Sequence, residues 1–271
     1  MNNEPAKQTD FFGLTKGLSG TQIKIIGVIM MVFDHLYQMF YINGVPQWFT
    51  WIGRPVAPIF LFICAEGFIH TRSRKRYLLH LLIGFEFMSI VSLVLPLALP
   101  NNNIALIFSI FGSLFFAALY MLFIEMLHNG IKTKKPGKAA LSIVLMLIPA
   151  VYGSMTVSML LSPEEITVPQ WAIAIIFKFI PNIMTVEGGI LWALIGSLFY
   201  VLRNNRLLQI IPLAVFGFMF FILGNIEWLI ILAVIPILLY NDSRGKGGKY
   251  FFYIFYPAHI YLFYIIAYFV R

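Results

Sequence analysis

Charge is what this chain has least of: Asp, Glu, Lys and Arg make up 11% of its 271 residues, against 60% hydrophobic residues and a mean hydropathy of +0.86. So little charge excludes a water-soluble domain and leaves an all-α, polytopic helical membrane protein. A single cysteine, Cys64, excludes an intramolecular disulfide as well as zinc or iron–sulfur sites built on several thiolates. No nucleophile elbow, Walker loop, dinucleotide fingerprint or HExxH pair is present, so no metal is implied and any catalysis must run on side chains within the membrane. Linkers, low-complexity tracts and clear repeats are also missing. The chain therefore reads as a single domain over residues 1–271.

What charge there is falls in a pattern. The formal net charge is +8, but most basic residues fall in four short loops: Arg72, Arg74, Lys75 and Arg76; Lys132, Lys134, Lys135 and Lys138; Arg203 and Arg206; Arg244, Lys246 and Lys249. Cytoplasmic loops of membrane proteins carry this excess, so the lipid bilayer rather than nucleic acid is the implied partner. Residues 1–22 carry Glu4, Lys7, Asp10 and Lys16, and no small-residue cleavage site follows the first apolar run. That stretch is expected to be a cytoplasmic amino-terminal segment ahead of a retained anchor.

Apolar stretches run near 23–41, 50–70, 78–99, 104–127, 139–161, 170–183, 187–202, 207–223, 226–240 and 250–270. Keeping all four basic loops on the cytoplasmic side predicts nine full spans, with the short 170–183 segment, broken by Pro181 and Asn182, re-entrant or interfacial. The intervening loops 42–49, 98–103 and 162–169 hold no Lys or Arg, as that arrangement requires.

Against this background, intramembrane ionisable residues stand out. The run IKIIGVIMMVFDHLYQMF carries Lys24, Asp34 and His35; Lys24 and His35 share a helical face with Gly27, roughly 16 Å apart along the axis. A histidine at such depth is either satisfied by a neighbouring carbonyl or poised for proton chemistry, and Asp34 beside it favours the second. In the next segment Pro58 cannot donate to the carbonyl of Arg54, a break that suits a cavity lining, and Arg54 either snorkels to the outer interface or faces substrate. Glu66 and His70, four residues apart, can interact. In the last segment His259 lies near mid-span beside Pro257, with Phe252, Tyr256 and Phe263 at helical spacing. Glu86, Glu125, His128, Glu187 and Glu227 are further polar positions, the last two towards the outer side.

The runs KIIGVIMMVFDH, IGRPVAPIFLFICAEGFIHTRSRKRYLLHLL, VEGGILWALIGSLFYVLR and YNDSRGKGGKYFFYIFYPAHIYLFY resemble the TraX family, whose best-known role is acetylation of the amino terminus of conjugative pilin; they extend from residue 24 to 264. The first helix is also similar in layout to membrane acyltransferases that modify polysaccharides, in which an arginine, ten residues and a histidine mark the active site. Lys24 stands here in the arginine's place.

The resemblance implies an acyltransferase of the bacterial plasma membrane that uses acetyl-CoA, with His35 as leading catalytic residue and an acceptor amine or hydroxyl, such as a membrane protein or peptide amino terminus. The expected division of labour puts the donor's phosphates on Lys24, Arg72, Arg74, Lys75 and Arg76. His35, oriented by Asp34 or another carboxylate, acts as general base or carries the acetyl group itself. Lys24, Arg54 or His259 meets the oxyanion. Arg54, Glu66, His70, Tyr256 and Glu187 face the substrate. Two other classes fit parts of the same pattern: a proton-coupled transporter with Asp34, His35, Glu66 and His259 as relay, and a non-catalytic scaffold of a conjugation or secretion complex.

Overall fold

The computed structural model describes residues 17–101, 103–106, 109–161, 169, 175, 176 and 178–270. Among them the regular secondary structure is helical, the one β contact being an isolated parallel bridge between Leu18 and Tyr240. Six helical stretches are long and apolar enough to cross a membrane, at Gly20–Asn43, Trp48–His70, Arg74–Ala98, Ile110–Lys132, Pro136–Met159 and Tyr250–Phe269. Three shorter apolar helices occupy Gly189–Val201, Arg206–Ile222 and Ile226–Leu238. Each expected apolar stretch thus falls on a helix, except 170–183, of which residues 170–174 and 177 lie outside the described residues, as do residues 162–168 of the loop before it and residues 1–16 of the amino-terminal segment.

The described residues form two compact units, one comprising those up to Ile63, those within Asn101–Ile104 and those from Leu202 onward, the other those within Cys64–Pro100 and Ala105–Val201. In the first unit, α1 (Gly20–Phe40) opens with a capping box: the Ser19 hydroxyl accepts from the Gln22 backbone N–H, and the Gln22 side chain accepts from Ser19 N–H at 2.8 Å. The donors that a helix start leaves open are met from a distant segment, Gly20 N–H donating to the Ser243 carbonyl at 2.8 Å and Thr21 N–H to that of Arg244 at 3.1 Å. Ile23, Gly27 and Met31 form the buried stripe of α1, at four-residue spacing, whereas Ile25 and Ile29 face outward as lipid-facing residues do. Gly27 lets the Phe60 ring approach so closely that a Cβ there would lie 2.9 Å from it.

After α1, a 3₁₀ turn (Tyr41–Asn43) ends at Gly44, and α2 (Trp48–Gly53) leads to α3 (Val56–His70). The break between them sits where Pro55 and Pro58 supply no N–H, and regular bonding resumes with Ile59 N–H to Pro55 C=O at 3.1 Å. The carboxy-terminal part of this unit runs through α8 (Arg206–Ile222), a 3₁₀ helix (Ile226–Ala233), α9 (Val234–Leu238) and α10 (Lys249–Phe269), which packs on α1. The 226–240 stretch begins as a 3₁₀ rather than an α-helix; Pro236 cannot donate to the Leu232 carbonyl, which removes an α-type bond at the junction. Arg206 holds this region to the core: its guanidinium lies 5.1 Å from the Phe62 ring centre and 5.0 Å from that of Tyr240, and it pairs with Asp242.

The second unit comprises α4 (Arg74–Ala98), α5 (Ile110–Lys132), α6 (Pro136–Leu161) and α7 (Gly189–Val201), with α5 packed against each of the other three. Phe116, Ala117, Ala118 and Met121 of α5 are buried, while α4 exposes Ile83, Phe87 and Leu97 and α6 exposes Val144, Leu147 and Val151. Large apolar residues facing outward along a whole helix are stable only against hydrocarbon.

Cys64 lies in this unit, 3% exposed, with the Tyr77 hydroxyl 3.4 Å from its sulfur. The chain's single thiol is therefore expected to resist maleimide in the folded, detergent-solubilised protein and to label fully after denaturation; fast labelling in the folded state would contradict the packing of α3 and α4.

Candidate active site

α1 and α10 bring two histidines together. His35 Nδ1 lies 2.7 Å from His259 Nε2, across 224 positions of sequence. The other ring nitrogen of His259, Nδ1, lies 2.7 Å from the Phe255 carbonyl, one turn back on α10. A carbonyl oxygen only accepts, so His259 Nδ1 carries a proton and spends it there. His35 Nε2 has no hydrogen-bond partner among the described residues. Aromatic rings enclose the pair: Phe255 stacks on His259 with centroids 4.7 Å apart, and Phe263 and Tyr256 meet it edge-on at 5.9 and 6.0 Å. Tyr256 also lies 6.1 Å from His35, so this expected substrate-facing residue belongs to the histidine pair's surroundings.

Asp34 does not orient His35. Successive helix residues point about 100° apart, and Asp34 turns to a different network. Its Oδ1 accepts from Thr50 Oγ1 at 2.8 Å and from Arg54 Nη2 at 3.1 Å, and its Oδ2 from Gln38 Nε2 at 2.7 Å. Arg54 also donates from Nη1 to Glu227 Oε1 at 2.5 Å, and to the carbonyl and hydroxyl of Thr50 one turn earlier. The guanidinium thus joins α1 to the 3₁₀ helix through two carboxylates, with all three side chains 16–27% exposed. An Arg54 merely snorkelling to an interface would not need both acids. Gly53 makes the geometry possible, because a Cβ there would fall 2.3 Å from Asp34 Cβ.

Two of the expected oxyanion donors are thereby committed elsewhere. His259 has no N–H to spare, and Arg54 uses its donors on Asp34, Glu227 and Thr50. Thr50 and Gln38 are not among the sequence's candidates, and Glu227 stands there as an outer-side polar position without a partner assigned. The usable signals were the four-residue spacings Asp34–Gln38 and Thr50–Arg54, whereas the pairing of Arg54 with Glu227 spans 173 positions and leaves no local trace.

Lys24, at the other end of α1, places Nζ 5.2 Å from the Phe252 ring centre on α10, near the like-charged Arg244. No carboxylate pairs with it among the described residues. In the second unit, Glu66 and His70 are adjacent as the spacing requires, with Nδ1 of His70 2.9 Å from the Glu66 carbonyl and 3.9 Å from its carboxylate. Arg74 is taken up by structure: it pairs with Glu125 at 3.1 Å, donates to the carbonyls of Phe68 and Thr71 at the end of α3, and lies 4.5 Å from the Phe68 ring centre. Arg72, Lys75 and Arg76 are exposed. The Glu187 carbonyl receives the Ser113 hydroxyl.

The family described as TraX protein matches residues 19–267. This chain belongs to the TraX family. It is 24% identical over 249 residues to the probable fimbrial assembly protein FimC, serogroup H1, of Dichelobacter nodosus, an alignment that covers 89% of this chain and 93% of that protein. No solved structure matches this TraX protein.

Removing the guanidinium leaves two partly buried carboxylates facing each other, so Arg54→Leu should lower stability by about 2 kcal/mol, below the cost for a fully buried pair. Gly53→Ala should act on the same network by displacing Asp34. Thermal unfolding in detergent measures both, and an unchanged midpoint in Arg54→Leu would show that the network carries no stability.

Proposed function

We propose that this TraX protein is a membrane acetyltransferase that moves an acetyl group from acetyl-CoA to an amine, or alternatively a hydroxyl, presented at the membrane. One observation carries the reading above all: a histidine inside a membrane-spanning helix, fixed through one ring nitrogen by a second histidine and open at the other. Such a group suits general-base work, which is typically worth ~10²–10⁴-fold. His35 takes the proton of the attacking acceptor as the new bond forms to the acetyl carbon and the bond to the CoA sulfur breaks.

The donor's anionic part has a matching partner in the same unit. Lys24 lies eleven residues before His35, about 16 Å along α1, and holds a positive charge that no described carboxylate cancels. That separation suits a donor whose phosphates and thioester stand at opposite ends of an extended arm. The name of the Dichelobacter nodosus relative directs attention to fimbrial subunits, so the amino group of a membrane-inserted pilus or fimbrial subunit is the acceptor to try first. The distribution of basic loops supports a cytoplasmic amino terminus in a bacterial plasma membrane, with the donor approaching from that side.

The test is acetyl-CoA binding and turnover by the detergent-purified protein. His35→Ala should keep donor binding and lose at least ~10²-fold in turnover, whereas Lys24→Leu should chiefly weaken donor binding. A folded wild type that neither binds nor turns over acetyl-CoA overturns the reading and makes solute transport in liposomes the next assay.

A further inference from the structure

Resting on that acetyltransferase reading, we infer that His259 is the proton-accepting partner of His35, and that the two rings form a relay in which charge generated by the reaction comes to rest on His259. Because the Phe255 carbonyl lies 2.7 Å from His259 Nδ1, that nitrogen is the N–H, and in the neutral ring Nε2 bears the lone pair. His35 Nδ1, 2.7 Å from that lone pair, must then be the donor. The neutral His35 is therefore the Nδ1–H tautomer, and its lone pair sits on Nε2, the nitrogen with no partner among the described residues. That Nε2 is also not sealed off within the protein, the buried unpartnered side-chain polar atom among the described residues being the Tyr152 hydroxyl.

The proton path then balances. An N–H or O–H bond of the acceptor breaks as an N–H bond forms at His35 Nε2. At the same time the His35 Nδ1–H bond breaks and a bond forms between that proton and His259 Nε2. His35 ends neutral in its other tautomer, and His259 ends as an imidazolium with one N–H to the Phe255 carbonyl and the other to His35. When the thioester opens, the Nε2 proton of His35 passes to the departing sulfur and the second proton returns from His259, which restores the starting state.

The setting of His259 suits a transient cation. His259 is 5% exposed, its ring's stack on Phe255 is nearly parallel at 17°, and Phe263 stands edge-on to it. A π face against an imidazolium is attractive, the more so away from water. The carboxylates that could otherwise do the job are engaged: Asp34 by Arg54, Thr50 and Gln38, and Glu227 by Arg54. His259 thus takes, with a neutral ring, the orienting position that a carboxylate fills in the serine-hydrolase triad.

The hydrogen bond can be read without activity. In the full-length protein in lipid with ¹⁵N-labelled histidine, the expected result is a nitrogen–nitrogen coupling between His35 Nδ1 and His259 Nε2, with His35 protonated at Nδ1 and unprotonated at Nε2. His259→Gln, whose amide oxygen accepts a hydrogen bond but not the proton itself, should keep His35 protonated at Nδ1 yet fall by ~10² or more in kcat, which separates proton acceptance from orientation. His259→Leu, which cannot accept, should fall by ~10² or more in kcat with KM unchanged, and its His35 should shift towards the other tautomer. Absence of the coupling in the wild type, or wild-type kcat in His259→Gln or His259→Leu, overturns the relay. If Leu fails to fold, the wild-type coupling and the Gln variant still decide. Coupling in a protein that transfers no acetyl group overturns the acetyltransferase reading and the relay's part in it, and leaves the Nδ1–H tautomer of His35 standing.

Discussion

An ionisable side chain inside a membrane helix needs a partner from within the protein, and α1 carries two of them side by side. Asp34 and His35 point about 100° apart, so a single neighbour cannot serve both. The arrangement of the first unit follows from that demand. One neighbour, α10, answers His35 with His259; the corner between α2 and α3 answers Asp34 with Thr50 and Arg54, and the 3₁₀ helix in turn answers Arg54 with Glu227. Apolar packing cannot dictate such a choice in lipid, where one greasy helix face resembles another, so hydrogen bonds and close approach at small residues set the neighbours. Gly27 and Gly53 mark the two places where α1 is approached closely.

The helical class and the position of most apolar segments were legible because long apolar runs have few alternatives in sequence or in space. Individual helix types were less so: the 226–240 stretch shows the composition of a span, yet it opens as a 3₁₀ helix, a difference in winding that hydropathy does not record. At the site, depth and chemical type pointed to His35, His259, Asp34 and Arg54. Their pairing did not follow. Sequence adjacency suggested Asp34 for His35, whereas helix geometry separates adjacent side chains and the true partner lies 224 positions away. Arg74 illustrates the reverse: a residue that reads as part of a basic edge is spent on closing the end of α3 and on Glu125.

The two networks of α1 differ in what they can do chemically. The Arg54 network brings a permanent cation together with two acids, each oxygen of Asp34 already engaged, and its evident work is to hold α1, α2 and the 3₁₀ helix in register. The histidine pair holds no fixed charge when neutral and keeps one nitrogen open. On the proposed acetyltransferase reading, stability and reactivity are thus separated onto neighbouring residues of one helix. Such a separation lets a rigid element position a group that must itself change state.

Because Lys24 and His35 both face α10 from the same uninterrupted helix, α1 acts as a ruler as well as a wall. Removing one residue between them would shorten the gap by only about 1.5 Å but swing one end about 100° away from α10. Removing a full turn would restore the facing and shorten the span by roughly 5–6 Å. The interval between cation and imidazole can therefore change only in steps of a turn, which makes the reach of any molecule bridging them a quantised property of the fold rather than one that drifts residue by residue.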